Sequence, residues 1–163
     1  MHSRIIELKL SPIPKEERAK EYDIPEWFVG SIADYTDLIN DEEERADSFK
    51  WAAGFIGASV KDDKLIITKE NCEAFFSYRL KVFKEATEAL REVETIEDFI
   101  DIGTGYKMHC LNSAYDDKYG FYVYEGGDFI SLDKFMKYVF VRMNESEERD
   151  ITLYCGSAFD YHF

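Results

Sequence analysis

Apolar and polar positions change period several times along this chain, and each change predicts an element. From Arg4 to Leu10 the pattern alternates, with Ile6, Leu8 and Leu10 on one parity, which predicts an opening strand. Pro12 and Pro14 end it, since neither can donate to a ladder. The charged stretch Lys15 to Tyr22 fits a short helix or a loop. Trp27/Phe28, Ile32 and Tyr35 then fall at helical spacing behind Pro25, predicting a helix over Glu26 to Asp37 with one aromatic face. Asn40 or Asp41 can cap a further helix burying Ala46, Phe49, Ala52/Ala53 and Ile56, with Gly54 and Gly57 ending it. Lys61-Asp-Asp-Lys64 reads as a turn before a strand at Leu65–Thr68.

The strongest periodic signal follows. Cys72, Phe76, Phe83, Ala86, Leu90 and Val93 recur along one face of a long helix from about residue 70 to 93. Thr95 caps a short helix through Ile102, Gly103-Thr-Gly105 breaks it, and another helix from Tyr106 to Tyr115 would bury Met108, Leu111 and Tyr115. Tyr119 to Glu125, Gly126-Gly127 and Asp128 to Ser131 form a hairpin signal, because two glycines supply the positive φ of a primed turn. Ser131 caps a helix containing Phe135, Met136, Val139 and Phe140, Asn144 to Asp150 is a polar loop, and Ile151 to Cys155 alternates as a strand. Phe159 to Phe163 is expected to be an aromatic terminal segment packed on the domain. Strands singly and in a hairpin, with helices in runs between them, predict one α+β domain over 1–163 with a mainly antiparallel sheet.

Composition narrows the function classes. The 163 residues carry 20 Lys+Arg against 34 Asp+Glu, a net charge of −14 with acid excess in both halves. Such a field repels nucleic-acid phosphates and anionic membranes and favours partners with basic surfaces. With 45% hydrophobic and 16% aromatic residues the chain can bury a core, and no apolar run approaches a membrane span. The first ten residues lack a signal-peptide pattern, so a cytoplasmic protein is expected. Three widely spaced cysteines, Cys72, Cys110 and Cys155, without CxxC, fit reduced thiols rather than a disulfide framework.

Candidate chemistry is sparse. A thiol nucleophile requires Cys155 or Cys110 in a cleft beside a histidine. Cys110 adjoins His109, but helix neighbours point about 100° apart, and His162 lies seven residues beyond Cys155. Cys72 falls on the core stripe. No HExxH, paired CxxC, calcium loop or GKS/GKT is present, so no metal, cofactor or catalytic residue is assigned. Glu97 with Asp101 is a solvated helix face rather than a glycosidase pair. Charge remains the informative feature. Asp41, Glu42, Glu43, Glu44 and Asp47 set five carboxylates along ~10 Å of helix axis, where duplex DNA carries roughly six phosphates. Glu97, Asp98 and Asp101 form a second cluster. These eight residues are the candidate partner-binding set.

Met1-His-Ser-Arg-Ile, Trp27-Phe28 with Gly30-Ser-Ile-Ala-Asp-Tyr35, and the ending Asp160-Tyr-His-Phe163 resemble small acidic proteins encoded on bacterial phages and conjugative elements. That resemblance implies a setting, inhibition of host defences such as CRISPR or restriction nucleases, and transfers no residue roles. The expected function is therefore a non-enzymatic acidic protein that inhibits a nucleic-acid-handling protein, a nuclease effector among them, by nucleic-acid mimicry. The alternatives are an immunity protein that neutralises a basic toxin and a cysteine-dependent hydrolase.

Overall fold

The computed structural model describes residues 1–163, and its sheet is organised around the C-terminal strand. The strands are β1 (His2–Lys9), β2 (Tyr35–Leu38), β3 (Ser59–Lys61), β4 (Lys64–Thr68), β5 (Tyr122–Glu125), β6 (Asp128–Ser131) and β7 (Asp150–His162). The helices are α1 (Glu42–Ile56), α2 (Lys69–Arg91), α3 (Ile96–Ile100), α4 (Ile102–Tyr115) and α5 (Leu132–Ser146). One edge of β7 runs antiparallel to β1 from His2 opposite His162 to Lys9 opposite Tyr154. Its other edge takes β4 over residues 150–154 and β2 over 159–162. The full order is β3-β4-β7-β1-β5-β6, with β2 beside β7, and β1 with β5 is the parallel strand pair. This is the expected α+β domain with a mainly antiparallel sheet, and its longest helix spans 23 residues.

Central strands bury both faces, and alternation along β1 sorts two cores. Ile6 and Leu8 point toward α1, α2 and α5 and join Phe49, Ile67, Phe135 and Met136 in the larger cluster. Ile5 points the other way, against Phe28, Phe159 and Tyr161. Irregular chain from the segment between β1 and β2 covers this second face, contributing Ala19, Ile24, Phe28 and Ala33. Glu7 shares the parity of Ile5 and is completely buried. At Glu7 the register slips: Ile6 faces Ala158 and Leu8 faces Cys155, so β7 holds one extra residue in a bulge. Glu7 Oε2 accepts from the bulge amide of Ser157 at 2.9 Å and from Ala19 at 2.8 Å. Lys9 Nζ lies 3.2 Å from Oε1. Ser157 Oγ closes the circuit by donating to the Ala19 carbonyl at 2.6 Å.

Several expectations need correction. Glu26 to Asp37 is not a helix. Gly30 takes a φ of +90°, and the Phe28 carbonyl accepts from Ser31, Ile32 and Ala33 in a tight turn that leads into β2. The helical spacing of the aromatics there was overridden by Phe28 filling the second core and by Tyr35–Leu38 pairing with β7. Gly103-Thr-Gly105 does not break a helix, because the break comes at Asp101, which caps α4 and leaves the glycines in its first turn. The stretch at 15–22 resolves into two short 3-10 turns, and the terminal aromatics belong to β7.

On α2, Cys72, Phe75 and Ala86 are buried, whereas Phe83 is exposed. Beyond Phe75 this helix, about 35 Å long, leans on α4 rather than on the sheet. Arg79 donates to the Ser113 carbonyl at 2.8 Å and Lys107 to the Ala89 carbonyl at 3.2 Å. The pair is therefore antiparallel, and α3 caps its distal end. Met108 and Tyr115, expected in the core, are exposed, and Thr104 and Ala114 are buried instead.

Removing the Glu7 carboxylate strands two buried amides. Glu7→Ala is expected to lose about 3 kcal/mol, a fall in Tm of roughly 6–12 °C. Gly156→Ala, whose Cβ would run into the Glu7 side chain, should lose about 2 kcal/mol. Chemical denaturation of both variants checks the pair, and wild-type stability in either would refute the role given to the bulge.

Candidate partner-binding surfaces

The two acidic clusters meet different fates. In the first, Asp41 caps α1, accepting from the Glu43 and Glu44 amides at 3.0 and 2.9 Å. Glu42 receives Arg45 Nε at 2.7 Å, Lys15 at 3.0 Å and Arg18 at 3.1 Å. Hydrogen bonds from Arg45 and Lys15 hold its carboxyl down at about 2. Arg45 itself is buried, and it donates to the Gly156 carbonyl and to Asp63, both at 2.9 Å. Glu44 lies 3.8 Å from Arg4 and Asp47 2.8 Å from Lys50. Of the five carboxylates only Glu43 has neither a cation partner nor a capping role. The charge density that resembled a phosphate track is largely neutralised by Arg4, Lys15, Arg18, Arg45 and Lys50.

The second cluster lies at the distal end of the α2–α4 pair. Thr95 and Asp98 form a reciprocal capping box around α3, with both bonds at 3.1 Å. The Thr95 hydroxyl and amide hold the Asp98 carboxyl below its usual range. Asp101 caps α4 through the Gly103 amide at 2.7 Å. Capping uses carboxylate oxygens without cancelling their charge. Glu92, Glu94, Glu97, Asp98 and Asp101 form no ion pair, and no Lys or Arg lies between residues 92 and 101. Between these acids stand Ile96, Phe99, Ile100 and Ile102, exposed by 77%, 68%, 74% and 91%. The sequence contained this signal, a run of apolar residues at three- and four-residue spacing. Such spacing ordinarily marks a core-facing stripe, so its exposure was visible only once α3 had been placed beyond the sheet.

A cleft of about 480 Å³ opens between the end of α1, α2 and α4, walled by Phe55, Phe75, Tyr78 and Tyr106. His109 and Cys110 both line it. No hydrogen bond joins the thiol to the imidazole, consistent with the divergence of neighbouring residues on a helix. Burial pushes the Cys72 thiol up to about 11 and the Cys155 thiol up to about 12, so neither forms a nucleophilic thiolate near neutrality. His2 and His162 meet edge to face, their Nδ1 atoms held by Asp160 at 2.7 Å and Asp34 at 3.0 Å. No group of three or more His, Cys, Asp or Glu side chains is arranged to hold a metal ion. No helix is long and apolar enough to cross a membrane.

The base of the α2–α4 pair carries a buried ionic group. Arg79 Nη2 comes within 2.5 Å of Asp133 Oδ1, and Asp133 Oδ2 accepts from the Asp117 amide at 2.9 Å. Burial is the largest influence on Asp133 and pushes its carboxyl up to about 6, aided by Asp116 and Asp117 and opposed by the Asp117 amide and Arg79.

No family model matches the chain, and no curated protein or solved structure matches it.

Two measurements follow from this geometry. A neutral thiol reagent near pH 7 should modify Cys110 alone in the native protein and all three cysteines in denaturant, read by intact mass; modification of Cys72 or Cys155 under native conditions would contradict their burial. Asp133 has a folded-state pKa above the unfolded value of about 3.9, so the folded chain takes up its proton first. Its contribution to stability should therefore rise as pH falls through about 6 and level off near 4. Glu42 acts in the opposite sense, losing its contribution below about 4.5 and down to about 2. Urea midpoints of wild type and Asp133→Asn, compared between about pH 7 and pH 4.5, should show a gain on acidification that the variant lacks.

Proposed function

We propose that this chain is a non-enzymatic acidic binding protein that occupies the basic surface of a nucleic-acid-handling protein, a host-defence nuclease being the leading class. The single observation that carries this reading is the division of labour among its carboxylates. At α1, Glu42, Glu44 and Asp47 are paired with cations, Asp41 is a cap and Glu43 alone stays free, while the five from Glu92 to Asp101 form no ion pair at the far end of the α2–α4 pair. A net charge of −14 steers a cationic surface toward that end and repels nucleic acid itself. The α1 face thus serves as a folded scaffold, and the contact surface centres on Glu97, Asp98 and Asp101.

The reading is tested by titrating the protein into a cleavage assay of a candidate nuclease. Inhibition should weaken as salt is raised several-fold, because exposed charge pairs are screened within about a Debye length of roughly 10 Å at 0.1 M. The triple variant Glu97→Gln, Asp98→Asn, Asp101→Asn keeps the caps, since Asn caps as well as Asp, and removes three charges. It should bind about tenfold more weakly, with Glu43→Gln nearly neutral. Affinity indifferent both to salt and to the triple variant would rule out the charge-based mechanism.

A further inference from the structure

The apolar residues of the distal end do not stop at α3. On α4, Ile102, Tyr106 and then His109 and Cys110 fall at intervals of four, three and four residues, so they lie along one side of the helix. Ile102 and Tyr106 are exposed by 91% and 69%. Tyr106, His109 and Cys110 also line the 480 Å³ cleft, opposite Phe55 and Tyr78. A continuous apolar strip therefore starts among the five unpaired carboxylates and runs into a cavity large enough for bulky side chains. From Ile102 to Ala114 it extends about 18 Å, or three to four helical turns.

We infer that this strip is a docking groove for a basic amphipathic helix belonging to another protein, with apolar side chains seated in the cleft and lysines or arginines facing Glu92, Glu94, Glu97, Asp98 and Asp101. This inference rests on the acidic-binding reading above and specifies the partner's chemistry. Charge complementarity selects the occupant. The strip's acidic end carries five carboxylates with no ion pair, against two flanking cations, Arg91 bound to Glu88 and Lys107 bound to the Ala89 carbonyl, so a second copy laid against it symmetrically sets a net negative patch against its like. The same charges repel anionic lipid and nucleic acid. Purely ionic docking leaves the apolar strip wetted, whereas an amphipathic helix covers it and meets the carboxylates at once, the helix-in-groove mode of recognition. The strip supplies large apolar and aromatic anchors of the kind that dominate interface energies, with the acids as an outer ring.

The experiment uses the full chain and three synthetic probes: a helical Leu/Lys peptide with one apolar face, a scrambled peptide of the same composition, and an oligolysine of equal charge. The amphipathic peptide should bind at least tenfold more tightly than the scrambled one and should slow modification of Cys110, which neither control does. Ile102→Ser with Tyr106→Ser, both at exposed positions, should weaken the amphipathic peptide at least tenfold and leave oligolysine unchanged. The charge-removing triple variant should weaken all three. If the amphipathic and scrambled peptides bind equally, or Cys110 stays unprotected, the groove is refuted while the acidic-binding reading survives. If no cationic probe binds, both fall. Sedimentation showing a wild-type dimer that the Ile102→Ser variant abolishes would assign the strip to a second copy and overturn the inference.

Discussion

The sheet is built around a carboxylate that water never reaches. Glu7 sits among apolar neighbours at the centre of β1, where an unsatisfied charge would cost several kcal/mol. Two amides hydrogen-bond its Oε2, while Oε1 has only the Lys9 ammonium nearby as an ion-pair partner and no hydrogen bond, and each partner imposes geometry. The Ser157 amide is available only because β7 bulges there, and the bulge can approach only because Gly156 has no side chain to meet Glu7. The Ala19 amide is available only because the chain after β1 folds back over the sheet. One buried charge thus ties the central strand pair to the irregular layer that encloses Phe28 and Tyr161.

The bulge also reaches the opposite layer. Its Gly156 carbonyl accepts from Arg45 on α1, which in turn holds Glu42 and the Asp63 turn. Two of the acids in the most conspicuous run of the sequence therefore serve the fold, Asp41 as a cap and Glu42 as the hub of an ion network. Charge recruited in this way is offset locally by Arg4, Lys15, Arg18, Arg45 and Lys50. The distal end of α2–α4 has the opposite character. It contributes little to the main core, carries unpaired acids, and exposes apolar residues that a stability requirement alone would bury. Structure and surface chemistry are spatially divided, with the sheet and α1 on one side and the projecting helices on the other.

Local signals were legible where local physics decides. The two-glycine hairpin adopts the expected positive φ at Gly126 and Gly127, and Asp41, Thr95 and Ser131 cap the helices assigned to them. The long helix lies within two residues of its expected bounds, since its periodic face and terminal acids are encoded in nearest neighbours along the helix. Failures cluster where distant partners decide. Trp27 to Tyr35 has helical spacing, but the second core and the open edge of β7 draw it into a turn and a strand. The terminal Phe159 to His162 has little strand signature alone, and it becomes a central strand because β1 and β2 flank it.

By itself the sequence determined the α+β class, the caps and turns, the acid excess and the lack of a catalytic motif, because each follows from residue type and short spacing. Tertiary structure alone decided which carboxylates are neutralised, which apolar stripe is left in solvent and where the cleft opens. Those outcomes depend on contacts between separate elements, from Arg18 with Glu42 and Arg4 with Glu44 to Arg45 with Gly156, and no local pattern encodes the distance between such groups.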